Sequence, residues 1–354
     1  MSAARADRLV DRLRERELDA LLVTNIVNVR YLTGFRGTNG LCLVGAEERL
    51  FITDFRYVER AKSEVPDFER VRGKQELIGD AAERLSGRVG FEDQHLSVRQ
   101  HARLTALLPE GTELVPAGGM VEELRAVKDP AELRAMHDAA DLADDMYEYI
   151  CSRGLVGRTE RDVALDVERE MRERGADDPS FPSIVASGPH AALPHADRRP
   201  ERIAPDTLVI VDLGCRVDDY CSDCTRTFAT GQLDDEAGSV YELVLAAQEQ
   251  ALQAVRAGAD CRAVDEVARS RISAAGHGEH FGHGLGHGVG LEVHEGPRLA
   301  QTVDGTLAAG NTVTVEPGVY VPGAFGVRIE DLVLVTDAGN ELLSHFPKTL
   351  VTLG

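Results

Sequence analysis

The chain has 354 residues, and its 43% hydrophobic content can fill the cores of two domains. Its 60 acidic and 39 basic residues give a net charge of -21, which opposes binding to nucleic acid or anionic membranes and fits a halophile-like acidic surface. No apolar run is long enough to cross a membrane, and the charged N-terminus lacks the apolar core of a secretion signal. We therefore expect a cytoplasmic protein.

The first 125 residues are predicted to form a self-contained α/β domain. Apolar spacing indicates an amphipathic helix over 3–17, and a helix-prone stretch over 80–108 is interrupted by a strand and turn. Three apolar runs predict further strands: ALLVT at 20–24, LCLVG at 41–45 and RLFIT at 49–53. Pro and Gly residues in 109–120 predict the linker to a second domain.

The second domain, residues 126–354, is predicted to begin with a capped helix. Asp129 can cap it, Pro130 suits its first position, and Glu132 completes a capping box. Periodicity predicts helices at 130–153, 159–174, 234–256 and 262–275, and strands at 207–215, 226–231, 312–320 and 327–336. We expect an α/β (α+β) chain whose second domain has a curved, mainly antiparallel sheet with helices on one side.

Six cysteines in a chain of this length do not indicate a disulfide framework. Cys221 and Cys224 form a C-x-x-C pair, but no second pair completes a zinc site and the flanks are not those of a redox loop. We expect reduced, buried thiols at all six positions: Cys42, Cys151, Cys215, Cys221, Cys224 and Cys261.

Five side chains at predicted strand positions or in a glycine-rich stretch are candidates for metal ligation: Asp212, Asp223, His287, Glu316 and Glu330. Asp212 ends an apolar strand, where an unpaired carboxylate facing a core costs several kcal/mol. Such carboxylate and imidazole donors suit two divalent cations such as Mn²⁺, Co²⁺ or Zn²⁺. Each residue alone also fits a turn or a solvated position, and the spacing leaves both interpretations open.

The stretch FGHGLGHGVGLEVHEGP at 281–297 places three histidines among six glycines, where no regular helix or strand is expected. Five of the eleven histidines of the chain fall between 277 and 294. This clustering favours a functional site over independent surface histidines.

Four segments resemble signatures of the metal-dependent pita-bread peptidase family (M24), which includes aminopeptidase P, prolidase and methionine aminopeptidase: DLGCRVDDYCSDCTRTF, GHGLGHGVGLEVHEGP, VEPGVY and GVRIEDLVLVT. The resemblance covers about residues 130–354. The N-terminal segment LDALLVTNIVNVRYLTGFRGTNGLCLV resembles the creatinase-type domain of the proline-specific branch. It implies an Xaa-Pro dipeptidase (prolidase) or Xaa-Pro aminopeptidase acting on short proline-containing peptides.

The resemblance implies a ligand set for two divalent metal ions, with Mn²⁺ expected first and Co²⁺ or Zn²⁺ as alternatives. Asp212 would bind one ion, Asp223 and Glu330 would bridge both, and His287 and Glu316 would bind the other. Water activated by the two ions would then hydrolyse the peptide bond.

Further roles are implied around this set. Glu316 would shuttle the proton, and His195 and His294 would donate hydrogen bonds to the substrate and the developing oxyanion. His283 would line the site, and Arg298 would bind a substrate carboxylate or downstream backbone.

Three more expectations concern the surroundings of the site. Arg328 shares a strand face with Glu330 and is expected to orient Glu316 or Glu330, with substrate binding as a further role. His190 is expected to be exposed and outside the site. Cys224 replaces a branched apolar residue beside Asp223 and is expected to make the site sensitive to oxidation.

Relatives assemble as dimers in which the N-terminal domain forms a wall of the neighbour's active site, so a homodimer is expected, with 35–40 or 54–57 as candidate wall segments. Two other hypotheses for the function stay open. One is a metal-dependent amide hydrolase of a small metabolite, either a compatible solute or a creatine-type compound, on the same fold. The other is a binding module without catalysis.

Overall fold

The computed structural model describes residues 2–354, which divide into two compact units. One unit ends at Arg125 and the other runs from Ala126 to Gly354. Within the described residues, no helix combines the length and the apolar composition that a membrane crossing requires.

The first unit is built around one six-stranded mixed sheet, in the order β4-β3-β2-β1-β5-β6. Its elements are α1 (Ser2–Glu15), β1 (Ala20–Val23), α2 (Ile26–Thr33), β2 (Gly40–Gly45), β3 (Arg49–Thr53), α3 (Val58–Glu64), β4 (Glu69–Arg72), α4 (Ile78–Ala82), β5 (Arg88–Phe91), α5 (Val98–Ala106), β6 (Glu113–Pro116) and α6 (Met120–Ala126). The helix predicted near the N-terminus and the three strands predicted from apolar runs are present within a few residues. The three strands are almost wholly buried, so the apolar runs that predicted them form the interior of the sheet.

The linker predicted over 109–120 is wrong. Its central residues form the edge strand β6, which pairs in parallel with β5 in the register Val89↔Leu114. The glycines on either side, Gly111 and Gly118, have positive φ angles of 84° and 61°, so they shape the turns at the two ends of a short strand. The two units divide further along the chain, after Arg125.

The second unit carries four helices and four small sheets. Its elements are α7 (Pro130–Arg153), α8 (Glu160–Glu173), β7 (Asp178–Pro179), β8 (Ile184–Ser187), β9 (Leu208–Leu213), β10 (Cys215–Val217), β11 (Tyr220–Cys221), β12 (Cys224–Ala229), α9 (Asp235–Ala254), α10 (Cys261–Ala274), β13 (Gly286–Gly288), β14 (Glu295–Leu299), β15 (Thr312–Val315), β16 (Gly318–Val321), β17 (Phe325–Arg328), β18 (Asp331–Val335) and β19 (Asn340–Leu342). The predicted capping box is confirmed: Asp129 accepts from the Ala131 and Glu132 amides, and Glu132 accepts from the Asp129 amide.

The strand pairs of this unit are antiparallel, as predicted. Helices α7 and α8 share a core with β9 and β12, whereas α9 and α10 share another core with β15 and β18. The strand orders are β12-β9-β8 and β14-β13-β15-β18-β19 in the two sheets that carry the candidate ligands. The apolar residues of these strands are buried, so the polar residues at the strand ends meet in the space between the sheets.

The expectation that no regular strand forms within 281–297 is wrong. Gly286–Gly288 forms β13, and β14 (Glu295–Leu299) begins within the last residues of the stretch. A Cβ on Gly286 would lie 2.0 Å from the Thr314 carbonyl oxygen, so only glycine lets this strand approach β15 so closely. The glycines therefore permit a tightly packed strand.

All six cysteines are free thiols, as predicted. Five of them are buried and Cys151 is partly buried. Burial raises the pKa of the Cys224 thiol well above its usual range, which disfavours the reactive thiolate. The oxidation sensitivity expected beside Asp223 is therefore not favoured by the surroundings of this thiol.

Candidate metal centre and active site

Four carboxylates at or near the ends of strands and one imidazole converge in the second unit. Asp212 lies near the end of β9, Asp223 directly precedes β12, Glu316 directly follows β15, and Glu330 lies between β17 and β18. Carboxylate oxygens of Asp212, Asp223 and Glu330 come within 4.8 Å of one another, and all three residues are buried. The fold thus collects residues that are more than 100 positions apart in the chain.

His287, at the centre of β13, completes this group. Its Nδ1 lies 3.0 Å from the Gly288 carbonyl oxygen, which can only accept, so Nδ1 carries the proton. Its Nε2 lies 3.3 Å from a Glu316 oxygen and 3.6 Å from an Asp223 oxygen. The imidazole therefore presents Nε2 to the same space as the carboxylates.

The carboxylates of the cluster are buried close to one another, and a cation would offset their negative charge. Burial, reinforced by neighbouring carboxylates, raises the pKa values of Asp223 and Glu330 well above their ordinary range. Burial also raises the pKa of Asp212, although the Arg328 guanidinium opposes it. Because protons or cations must offset these buried negative charges, the cluster favours positive charge in its centre.

Glu316 differs from the other three carboxylates. Burial acts to raise its pKa, but the hydrogen bond and charge of His287 outweigh burial and lower the pKa to about 2. The same contact raises the pKa of His287 against the effect of its own burial. Glu316 is thus the member of the cluster that holds its negative charge most firmly.

Two oxygens of the cluster lack a hydrogen-bond partner among the described residues: Oδ1 of Asp212 and Oε1 of Glu330. Each carboxylate is anchored through its other oxygen, Asp212 by Arg328 at 2.7 Å and Glu330 by the Thr225 hydroxyl at 2.7 Å. Buried polar atoms are rarely left without a partner unless a ligand or ion supplies it. Hard oxygen donors together with one imidazole fit divalent cations such as Mn²⁺, Co²⁺ or Zn²⁺.

The cluster forms one side of a cavity of about 590 Å³. His195 and His294 also line the cavity, and both are exposed to it. The rings of His294 and His287 meet edge to face with centroids 4.4 Å apart. Burial and the nearby His287 lower the pKa of His294, which favours its neutral form. Further lining residues are Phe181, Pro182, Ile184, Pro194, Ala196, Asp197, His283, Val293, Arg298, Ala300, Tyr320 and Arg328.

The chain matches two family models across nearly its whole length. Residues 134–337 match the model described as metallopeptidase family M24, and residues 5–127 match the creatinase/prolidase N-terminal domain. The chain belongs to metallopeptidase family M24. It is also 40% identical to the uncharacterized peptidase YqhT of Bacillus subtilis strain 168, over 95% of this chain and 96% of that protein. The predicted family and enzyme class are therefore confirmed.

Three solved structures share the fold of both units. An Xaa-Pro dipeptidase from Bacillus anthracis superposes with a TM-score of 0.96 and 38% identity, with 100% of each chain covered. An X-Pro aminopeptidase from Thermotoga maritima matches at 0.90 and 33% identity, covering 98% of this chain and 99% of that one. A prolidase from Pyrococcus horikoshii matches at 0.91 and 32% identity, covering 98% and 100%. The pita-bread fold predicted from the sequence is confirmed.

Arg328 has other partners in this M24 site than the sequence indicated. It was expected to orient Glu316 or Glu330, but its guanidinium donates to Asp212, the Thr225 hydroxyl, the Pro194 carbonyl and the Tyr320 hydroxyl. Alternation along a strand identifies the face on which a residue lies, and it leaves open which strand lies opposite. The fully buried guanidinium therefore acts on the cluster through Asp212.

His283 lies beside the cluster as expected, and its contacts define its state. Nδ1 donates to the Gly284 carbonyl at 2.8 Å, so Nε2 accepts from the Tyr320 hydroxyl at 2.9 Å. Burial lowers the pKa of His283, consistent with this neutral form. Tyr320 links His283 to Arg328 and was missed in the sequence, although it lies four residues after Glu316 and its polar tip needs a partner when buried.

His190 is not exposed as expected. It is buried, and its Nδ1 lies 2.8 Å from Oε2 of Glu160 in α8. A histidine in a loop of small and apolar residues carries no sequence signal for a partner 30 positions upstream. This contact is part of the packing of the segment that carries His195.

Proposed function

We propose that this chain hydrolyses the Xaa-Pro bond of short peptides, with two divalent cations bound by a set of five residues: Asp212, Asp223, His287, Glu316 and Glu330. One observation carries the proposal. The buried carboxylate oxygens that lack partners face the same cavity as the two non-ligand histidines, His195 and His294. A cation site alone would not require these donors, and hydrolysis of a carbonyl compound does.

The side chains of the cavity then take separate roles. Bound divalent cations acidify water and polarise a carbonyl group. Glu316 takes the proton from the attacking water and passes it to the leaving nitrogen, because its carboxylate borders the cavity in which water and substrate would meet. His195 and His294 donate hydrogen bonds to the substrate and to the oxygen that becomes negative.

The cavity also suits the bond before proline. That bond is a tertiary amide without an N–H, so recognition depends on the shape of the ring pocket. Apolar side chains of Phe181, Pro182 and Ile184 supply such a wall. Arg298 pairs with His287 across β13 and β14, which places both on one sheet face, and its exposed guanidinium suits a substrate carboxylate.

The substrate class is tested by rates on Ala-Pro, Ala-Pro-Ala and Ala-Ala, with Mn²⁺, Co²⁺ and Zn²⁺ compared in high salt. Cleavage of Ala-Pro and not of Ala-Pro-Ala identifies a dipeptidase, and the reverse identifies an aminopeptidase. Cleavage of Ala-Ala alone contradicts the proposed Xaa-Pro specificity. Cleavage of no peptide by the metal-loaded protein contradicts the proposal and favours the amide hydrolase of a small metabolite.

The role of Arg298 has its own test. If the guanidinium binds the carboxylate of a dipeptide, Arg298→Ala raises KM for Ala-Pro by about 10-fold or more, because a charge-assisted bidentate pair is lost. A peptide with an amidated C-terminus serves as the control, since its KM should change little. An unchanged KM for Ala-Pro removes Arg298 from substrate binding.

We further propose Mn²⁺ as the metal and a cytoplasmic homodimer as the assembly. Metal analysis of the protein purified without chelator tests the first, and light scattering in high salt tests the second. Segments 35–40 and 54–57 are the proposed walls of a neighbour's site, and the side chain of Phe55 in the second segment is 70% exposed. Phe55→Ser should weaken the dimer if this segment is part of the interface.

A further inference from the structure

His195 lies on a segment that has little regular structure of its own. Between the end of β8 at Ser187 and the start of β9 at Leu208, the chain forms one short 3-10 turn, Gly188–Ala192. Pro194, Ala196 and Asp197 of this segment also line the cavity. Accurate placement of His195 therefore depends on contacts with the surrounding elements.

Glu160, in the first turn of α8, is the main anchor of this segment. Its side chain is fully buried and accepts from the amide and the hydroxyl of Ser187, both at 2.8 Å, and from Nδ1 of His190 at 2.8 Å. The guanidinium of Arg199 donates to both of its oxygens at 3.1 Å. One carboxylate thus joins the chain before, within and after the part that carries His195.

Glu168, about two turns further along α8, provides a second anchor. Its Oε1 accepts from the Ser183 amide at 2.9 Å and from the Arg198 guanidinium. The same guanidinium also donates to the Ser183 carbonyl at 3.3 Å. This anchor ties the start of β8 to the residue three positions after His195.

The segment is packed from the other side as well. The Pro194 carbonyl accepts from Arg328, whose guanidinium also holds Asp212. A Cβ on Gly326 would lie 1.9 Å from the Ala191 carbonyl oxygen, so β17 lies directly against the 3-10 turn. Because His195 is linked through Pro194 to the group that holds a candidate ligand, a small shift of the segment changes its geometry relative to the cluster.

We propose that Glu160 and Glu168 are positioning residues that hold His195 against the cavity, with Glu160 as the dominant one. This inference rests on the proposed function, because it assumes that His195 acts on the substrate. Buried carboxylates are not needed to fold a helix N-terminus, which Thr159 already caps. Displacement of a catalytic group by about 1 Å can cost about 100-fold in rate, so loss of an anchor should appear in kcat.

The test is a double-mutant cycle of Glu160→Gln and His195→Ala, with kcat and KM on Ala-Pro in saturating Mn²⁺. Glu160→Gln keeps the size of the side chain and places an amide NH2 among donors. We expect kcat to fall about 10-fold or more with KM changed less than about 3-fold. In the His195→Ala background the same change should alter kcat by less than about 2-fold, because both variants act through one group.

Asp166→Asn is the matched control. Asp166 lies on the same helix and forms ion pairs with Arg153, Arg158 and Arg169, without touching the segment that carries His195. Its replacement should lower the melting temperature and leave kcat unchanged. Glu168→Gln should lower kcat less than Glu160→Gln, because Glu168 has fewer contacts with the segment.

Several outcomes overturn the inference. A lower melting temperature with unchanged kcat in Glu160→Gln indicates a purely structural role, and so does an effect that multiplies in full with that of His195→Ala. If Glu160→Gln is not recovered folded, Arg199→Gln at a partly exposed position enters the same cycle with the same expected results. Full activity of His195→Ala, or no cleavage of Xaa-Pro peptides by the wild-type protein, refutes the proposed function itself and the inference with it.

Discussion

Glu330 and Asp331 are consecutive buried carboxylates that meet opposite environments. Asp331 lies among cationic and amide groups: Arg226 at 3.0 Å, Lys348 at 2.7 Å and Gln248 at 2.9 Å. Glu330 faces the carboxylates of Asp212 and Asp223 and has one oxygen without a partner. Two equally buried carboxylates therefore differ in whether the protein supplies their partners.

The difference lies in where the positive charge comes from. Around Asp331 the protein supplies it, because the fully buried Arg226 and the partly buried Lys348 neutralise the carboxylate within the fold. Around Glu330 no described side chain reaches Oε1, and burial with neighbouring negative charge raises the pKa well above its usual range. A buried carboxylate left in this state indicates a site that an external cation completes.

The two groups are nevertheless connected through the backbone. Arg226 donates to the Glu330 carbonyl as well as to Asp331, so the cationic side fixes the backbone that carries the candidate ligand. The Thr225 hydroxyl then orients the Glu330 side chain from the other direction. The hydrogen-bonded groups around Asp331 thus hold the backbone of Glu330, whose carboxylate has an oxygen without a partner. Substitutions at the two positions should separate their contributions to stability and to activity.

The largest effect is expected for Glu330→Gln. Loss of this proposed metal ligand should lower kcat/KM on Ala-Pro by about 10³-fold, because cation-based stabilisation of the transition state is worth several kcal/mol. The chelator-treated variant should be at least as stable as the chelator-treated wild type, because one like charge is removed from a crowded buried cluster. Kinetics and chemical unfolding measure the two effects. Wild-type activity at full metal content would contradict the ligand role.

The opposite pattern is expected for Asp331→Asn, which is the matched control one residue away. Here the free energy of unfolding should fall by about 3 kcal/mol, because Arg226 and Lys348 lose a buried counter-charge. Metal content should stay at the wild-type level, and kcat should fall less than about 10-fold. Urea unfolding and metal analysis provide the readouts. A variant that lost its metal but kept its stability would reverse the comparison.

The sequence indicated the candidate metal ligands but not the buried ion pairs that surround them. Asp212, Glu316 and Glu330 interrupt apolar strand patterns, which marked them as candidate ligands, and the resemblance to the peptidase family favoured this role over that of turn residues. The partner of Arg328 could not, because Asp212 lies 116 positions earlier and only the folded sheets bring the two together. The same applies to Arg226 and Asp331, which are 105 positions apart and look like ordinary surface charges in the sequence.

Local signals were accurate where local physics decides the structure. The capping box at Asp129 and the apolar periodicity predicted α7 with the observed bounds, Pro130–Arg153. Turn residues were less informative in 109–120, because Pro and Gly mark the ends of an edge strand as well as a linker. The glycines around His287 misled for a related reason, since they allow a close strand approach that depends on β15.

The smallest effect concerns pH and compares the metal-free and metal-loaded proteins. Burial and neighbouring carboxylates raise the pKa values of Asp223 and Glu330 in the folded protein well above the ordinary values of such carboxyl groups. As pH rises past those values, the unfolded chain loses protons that the metal-free folded protein still binds, so stability is lost. Cation binding displaces these protons and removes the loss.

We therefore expect the melting temperature of the chelator-treated protein to fall relative to the Mn²⁺-loaded protein between about pH 5 and about pH 8, by a few degrees. Groups outside the cluster titrate in both forms, so the difference between the two melting temperatures isolates the cluster. Chelator-treated Glu330→Gln should show a shallower decline, since one of the responsible carboxyl groups is absent. Asp331→Asn should keep the wild-type slope at a lower temperature. A difference between the two melting temperatures that stays constant with pH would contradict the prediction. It would show that the carboxyl groups of the cavity do not hold extra protons in the metal-free protein.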